Sequence, residues 1–332
     1  MVLWCITTYF NPINYQRRLK NYHEFWNSFK TQSKDTTTKL LTVELSIKNG
    51  KHVLNDSDSD LLIQVHSNSI LWHKEQLFNI AISNLPNDCD KICWLDCDLI
   101  FPKAKNDQDN WMKQSEKLLD DPQIKFIQPF SEVHLYDQNK EKIISKMCSF
   151  AGDCKSKKGV SPTVGFAWGC RLKDIKDMNG FYPYNVVGGG DNLVQMILKK
   201  NEILNGENDG ENDGKSDKQQ RSDKQQRGKR FSKKHFKHFK EYMKKCPDIT
   251  KTNLKSTNNI VYHLWHGDTR NRHYADRHYI LKEQCFDPVK HIRFNKDNCM
   301  EWSDKTDKEL KISVKKYFQS RMEDSLSPGG KV

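Results

Sequence analysis

Nowhere in its 332 residues does the chain approach the roughly 20 consecutive apolar positions that a membrane-spanning helix requires. The opening Met1-Val2-Leu3-Trp4-Cys5-Ile6 is short and lacks the basic flank of a secretory signal. Ten cysteines are present, but never in paired C-x-x-C spacing, which argues against a zinc module; without a signal segment a disulfide framework is not expected either. These absences predict reduced thiols, no transmembrane segment and a cytoplasmic setting.

A net charge of +12 raises the question of a nucleic-acid partner. Much of that charge is local. Residues 215–240 hold eleven Lys or Arg against two Asp, and excising 206–240 leaves a net charge of +7. The same region repeats Gly-Glu-Asn-Asp twice and Ser-Asp-Lys-Gln-Gln-Arg twice, almost without apolar residues. Such a segment cannot offset the entropy of its own ordering, so 205–228 is expected to be a disordered insertion and no nucleic-acid partner is expected. The basic residues of the helix expected after it are read as a solvated face.

What the chain does contain is an ordered series of apolar segments. Val2–Thr8 is β-branched and apolar, and Tyr9-Phe10-Asn11-Pro12 breaks it. Leu19, Tyr22, Trp26 and Phe29 then recur at helical spacing. Strands are predicted over Leu40–Ile47 and Leu61–His66, and a helix over Leu71–Ser83. Lys91–Phe101 reads as a further buried strand. Strands alternating with helices in this way build a parallel sheet by right-handed crossovers, with ligands beyond the carboxyl ends of the strands. A helix over Trp111–Leu119 and a strand over Ile124–Gln128 follow, then a loop-rich stretch to Thr163 and a strand over 164–171.

Three polar groups interrupt this apolar framework. Asp96 and Asp98 stand inside the Lys91–Phe101 run, where side chains two apart share a strand face and two close carboxylates call for a divalent cation. Gly188-Gly189-Gly190-Asp191-Asn192 precedes an apolar helix from Leu193, in a backbone free to turn sharply. His263 and His266 lie three apart, followed by Gly267-Asp268 and by Arg270, Arg272 and Arg277, a cluster that packing alone does not explain.

Together these motifs resemble a GT-A-like family of glycosyltransferases encoded by bacteria and large DNA viruses. The resemblance runs nearly end to end, through Thr7–Pro12, Trp72-His73-Lys74-Glu75 with Asn79, Trp94–Asp98, Gly165–Trp168, Gly188–Asp191, His263–Asp268 and Tyr317–Asp324. It implies an α/β GT-A-like fold: a Rossmann-type, mostly parallel central sheet flanked by helices, with an acceptor-side C-terminal part. Residues 1–204 would form the nucleotide-sugar core and 229–324 would complete the metal and acceptor site, leaving 325–332 as a flexible tail. Thr7 and Thr8 would line the nucleoside pocket, with Lys74 and Asn79 near the donor. Asp98 would be the main metal carboxylate, Asp96 would contact ribose or metal, and His266, or failing it His263, would complete the shell. Trp168, Gly189, Gly190 and Asn192 would face the acceptor. The host cytoplasm is the expected setting if the chain is viral.

The chemistry of these residue types agrees with those roles. Transfer from a UDP- or GDP-sugar to a glycan hydroxyl requires a neutralised diphosphate, which Mn²⁺ or Mg²⁺ on carboxylates provides. A mixed Asp and His shell favours Mn²⁺. Arg270, Arg272 and Arg277 are suited to phosphate oxygens. Asp191 can act as general base of an inverting reaction, or can simply cap the helix it precedes. Sugar-phosphate nucleotidyl transfer would instead place a Gly-rich basic loop after the first strand, where this chain has Thr-Thr-Tyr-Phe-Asn-Pro.

Overall fold

The computed structural model describes residues 2–48, 50–153, 160–205, 231–274 and 276–325. The predicted insertion, Asn205 apart, and the tail beyond Ser325 therefore lie outside the described residues. Val2–Phe10 forms β1, Lys39–Ile47 β2, Leu61–Ser67 β3 and Cys89–Leu95 β4, with α1 (Gln16–Ser33) and α2 (Lys74–Ser83) as crossovers. These four strands are mutually parallel in the order β4-β1-β2-β3. Strand alternation explains how β1 is covered on both sides. Leu3, Cys5 and Tyr9 pack with Tyr22, Phe25, Trp26 and Phe29 of α1, whereas Trp4, Ile6 and Phe10 share a core with Leu77, Phe78 and Ala81 of α2.

Further strands are β5 (Leu99–Ile100), β6 (Phe126–Gln128), β7 (Glu132–Tyr136), β8 (Ile143–Ser149), β9 (Ser161–Thr163), β10 (Ala167–Arg171), β11 (Leu254–Ser256) and β12 (Ile260–His263). β10 inserts antiparallel between β4 and β6, and β11 closes that edge parallel to β6, giving seven strands in one sheet. The result is an α/β fold with a mostly parallel central sheet flanked by helices. No helix among the described residues is long and apolar enough to cross a membrane.

Three expectations need correction. The stretch read as loop-rich contains β7, β8 and β9, which join β5 and β12 in a second sheet of order β5-β12-β7-β8-β9. The first four residues of β8 are exposed, so no apolar periodicity announces it. Moreover, Asp96 and Asp98 do not lie within a strand: β4 ends at Leu95, the chain turns, and β5 belongs to the second sheet. The Asp-x-Asp is thus the crossing point between sheets, where its carboxylates are free to face different partners. Nor are all thiols reduced, since Cys148 in β8 is disulfide-bonded, while eight other cysteines among the described residues are free.

Candidate active site

The crossing point brings Asp98 to the two histidines. His263, the last residue of β12, pairs in register with Leu99 of β5, and the Leu264 amide donates to the Asp98 carbonyl at 2.9 Å. His266 Nε2 lies 3.0 Å from Asp98 Oδ2, His263 Nε2 lies 3.6 Å from Asp98 Oδ1, and the two Nε2 atoms are 3.2 Å apart. One donor atom from each residue falls within a 4.8 Å group, the geometry of a three-ligand metal site. Burial, more than Asp98 can offset, pushes His263 down to about 3, so its nitrogen keeps a lone pair for a cation. Burial opposes ionisation of Asp98, but His263, His266 and Arg272 outweigh it and hold the carboxyl well below the usual range. Asp98 Oδ1 is buried without a hydrogen-bond partner among the described residues, as expected of a ligand atom.

A buried carboxylate stands behind this group. Glu323 Oε2 is 3.5 Å from His266 Nδ1, on the ring side away from Asp98, and Glu323 is itself held by Arg18 at 2.5 Å and Arg321 at 2.6 Å. Arg272 lies against the face of the His266 ring, 2.9 Å from both ring nitrogens, and donates to the His266 carbonyl at 3.1 Å. The backbone here is close-packed: Gly267 has φ +91°, and a Cβ on it would sit 2.9 Å from the Glu323 Cα. Carboxylates behind ligand histidines typically change metal affinity 10–100-fold. Glu323→Gln should weaken Mn²⁺ binding by about that factor, measured by calorimetric titration; unchanged affinity would remove Glu323 from the site.

The same residue sets a pH dependence. Burial works against the Glu323 charge, but Arg18 and Arg321 prevail and hold its carboxyl well below the usual range. A depressed folded-state value means stabilisation that is complete above the unfolded carboxylate range near 4 and lost as pH falls below it. Thermal melts between about pH 6 and pH 3 should therefore fall less steeply in Glu323→Gln than in the wild type; parallel curves would contradict the ion-pair assignment.

A second cluster adjoins the first. Lys74, the first residue of α2, places Nζ 2.5 Å from Asp96 Oδ1 and 2.7 Å from Asp191 Oδ1, joining three motifs far apart in the chain. Burial disfavours the ammonium, but Asp191, Asp96 and Glu75 hold it well above its ordinary value. Asp96 is pushed up to about 6, by burial first and by Asp191 and Asp98 in addition, although Lys74 pulls it down. Its carboxyl thus senses both clusters. Asp191 occupies the 3₁₀ turn Gly190–Asn192 and makes no capping bond; the helix after it, Leu193–Leu198, is capped by no side chain.

Gly190 is required by close packing. A Cβ on Gly190 would lie 1.8 Å from Glu75 Oε1, so the position is open because a buried carboxyl fills it. Burial drives Glu75 up to about 8 despite Lys74, with Asp191 adding to the rise. Gly190→Ala should destabilise the fold by about 1–3 kcal/mol through overpacking. Most of that loss should disappear in the Glu75→Ala background, and additive melting shifts would show that the two residues do not meet.

Other expected residues are placed elsewhere. Thr7 is fully buried and donates its hydroxyl to the Leu95 carbonyl at 2.8 Å, making it a residue of strand packing rather than pocket lining. Thr8 is also buried, in the same strand. Asn79 spends its amide on Phe181, donating to its carbonyl at 2.9 Å and accepting from its NH at 2.7 Å. Trp168 is a core residue whose indole NH donates to the Val164 carbonyl, so it offers no acceptor surface. Gly189 supplies a left-handed turn at φ +101°, and Asn192 donates to its carbonyl. Arg270 is exposed and paired with Asp268, whereas Arg272 and Arg277 are buried. Arg277 donates to the Tyr317 hydroxyl at 3.2 Å.

No family model and no curated protein matches the chain. Among solved structures, the catalytic domain of Drosophila beta1,4galactosyltransferase 7 in complex with xylobiose is similar over 60% of each chain, at 14% identity and a TM-score of 0.34. S. aureus TarS 1–349 is similar over 62% of this chain and 56% of its own, at 13% identity and a TM-score of 0.38. A mutant of the Drosophila enzyme in complex with manganese, UDP-Gal and xylobiose is similar over 83% of this chain and 99% of its own, at 13% identity and a TM-score of 0.37. The chain thus spans less than two thirds of the first two. With likeness at this level, the functional reading rests on the side chains.

Proposed function

We propose that this protein is a metal-dependent glycosyltransferase that moves a sugar from a UDP- or GDP-sugar to a glycan hydroxyl with inversion. The observation that carries the reading is the adjacency of two clusters: Asp98 with His263 and His266, and Lys74 between Asp96 and Asp191. The first would hold a divalent cation, Mn²⁺ ahead of Mg²⁺ because two ligands are imidazoles. That ion would supply charge neutralisation for the leaving diphosphate.

The protein's own groups account for the remainder. Asp191, with 38% of its side chain exposed, would take the proton of the acceptor hydroxyl as that oxygen attacks the anomeric carbon and the bond to the diphosphate oxygen breaks. Lys74 would orient this base and keep Asp96 poised for the donor ribose. Arg270, 65% exposed along its side chain, would meet phosphate oxygens released after cleavage. On this reading residues 1–204 hold the donor half, while 229–324 supply the two histidines and Glu323. Titration of metal-stripped protein with Mn²⁺ should reveal one site per chain, lost in His266→Ala, and nucleotide-sugar binding only after that site is filled. Donor binding indifferent to Mn²⁺ would contradict it.

A further inference from the structure

A pocket of about 260 Å³ opens where α1 meets the β7–β8 turn and the segment between the two histidines. Nothing in the transfer chemistry above uses it. Three cations line it: Arg17, Lys20 and Lys140. Lys140 is neutralised by Glu24 at 2.9 Å. Lys20 makes no ion pair or hydrogen bond among the described residues; the Arg17 backbone amide donates to Asp324 Oδ1 at 2.8 Å, but its guanidinium has no carboxylate partner there, lying over the Trp265 ring at 5.3 Å and donating weakly to the Gln138 carbonyl at 3.4 Å. Two unneutralised cations therefore converge on one concavity.

The remaining walls narrow the ligand class. Trp265, buried beneath the Arg17 guanidinium and with its carbonyl held by the buried Asn21 amide at 3.1 Å, fixes the position of that cation at the wall. Gln138 and Asn139 add amide donors and acceptors at the rim. Amides that can bond hydroxyls, set beside two cations in one concavity, suit a hydroxylated ring bearing a negative group. The volume falls just short of the roughly 300–1,000 Å³ typical of drug-sized sites, which fits one ring rather than a nucleotide.

We infer that this pocket binds a single acidic sugar, a ring carrying a phosphate or a carboxylate. The inference does not depend on the transfer reading, and its test needs neither metal nor donor. Intact metal-stripped protein is titrated with glucose 1-phosphate, glucuronate, glucose and inorganic phosphate, by calorimetry and by Trp fluorescence. At least one acidic sugar should bind in the millimolar range or tighter and at least tenfold more tightly than both glucose and phosphate; which one binds distinguishes a phosphate from a carboxylate ligand. Lys20→Ala, an exposed position without partners, and Arg17→Gln should each weaken that binding about tenfold with unchanged melting temperature. Equal binding of glucose or phosphate, absence of binding up to about 10 mM, or an affinity that neither variant alters would overturn the assignment.

Discussion

Replacing Asp98 by Asn is expected to lower transfer by at least about 10³-fold, because metal charge stabilisation at a leaving group is worth several kcal/mol and each 1.4 kcal/mol is a factor of ten. The amide keeps the shape of the side chain but not the charge that His263 and His266 face across 3.6 and 3.0 Å. The fold should survive, since the backbone bond from Leu264 to the residue 98 carbonyl is untouched. Loss should be visible without turnover as well. Mn²⁺ should raise the melting temperature of the wild type and not of the variant. A retained metal-induced shift in Asp98→Asn would remove this carboxylate from the metal site.

Asp191→Asn is expected to reduce turnover by about 10²–10⁴-fold, the usual contribution of a general base, while leaving donor and Mn²⁺ affinities near normal. Asn caps helices about as well as Asp, so the substitution separates the two roles the sequence allowed. The geometry already weighs against a cap: the Asp191 carboxylate is engaged by Lys74, and no side-chain capping bond is made at that turn. Lys74→Met should lower turnover too, but for a different reason, leaving Asp96 and Asp191 without the cation between them. Near-normal transfer by Asp191→Asn, with its melting temperature unchanged, would place the base elsewhere.

How much of this was legible in the chain depended on the range of the contacts. The alternation of β1 and the helical spacing of Tyr22, Trp26 and Phe29 are local patterns, and the first sheet follows them closely. The second sheet was hidden because its strands are short and β8 begins exposed, leaving no period-two signal to detect. Asp96 and Asp98 were noticed as a pair, yet the turn after Leu95 separates them into different clusters, which a strand reading cannot anticipate. Lys74, Asp96 and Asp191 stood out as separate motifs, but only the folded chain joins them. Glu323 and Arg18 were missed as site residues. Their ion pair spans 305 positions, and the one available signal was an Arg-Met-Glu-Asp run at the end of an apolar helix. Trp168 illustrates the opposite error, a motif residue whose position is explained by core packing.

The central claim is that Asp98, His263 and His266 hold a divalent cation in the service of sugar transfer. Its most direct test is to incubate metal-stripped wild-type protein and Asp98→Asn with a panel of UDP- and GDP-sugars, with and without Mn²⁺, and to measure nucleoside diphosphate release. The account predicts release from at least one donor only when Mn²⁺ is present, and none above background from Asp98→Asn. Release that persists in the stripped protein, or that Asp98→Asn retains, would contradict it, as would the absence of release from every donor in the panel.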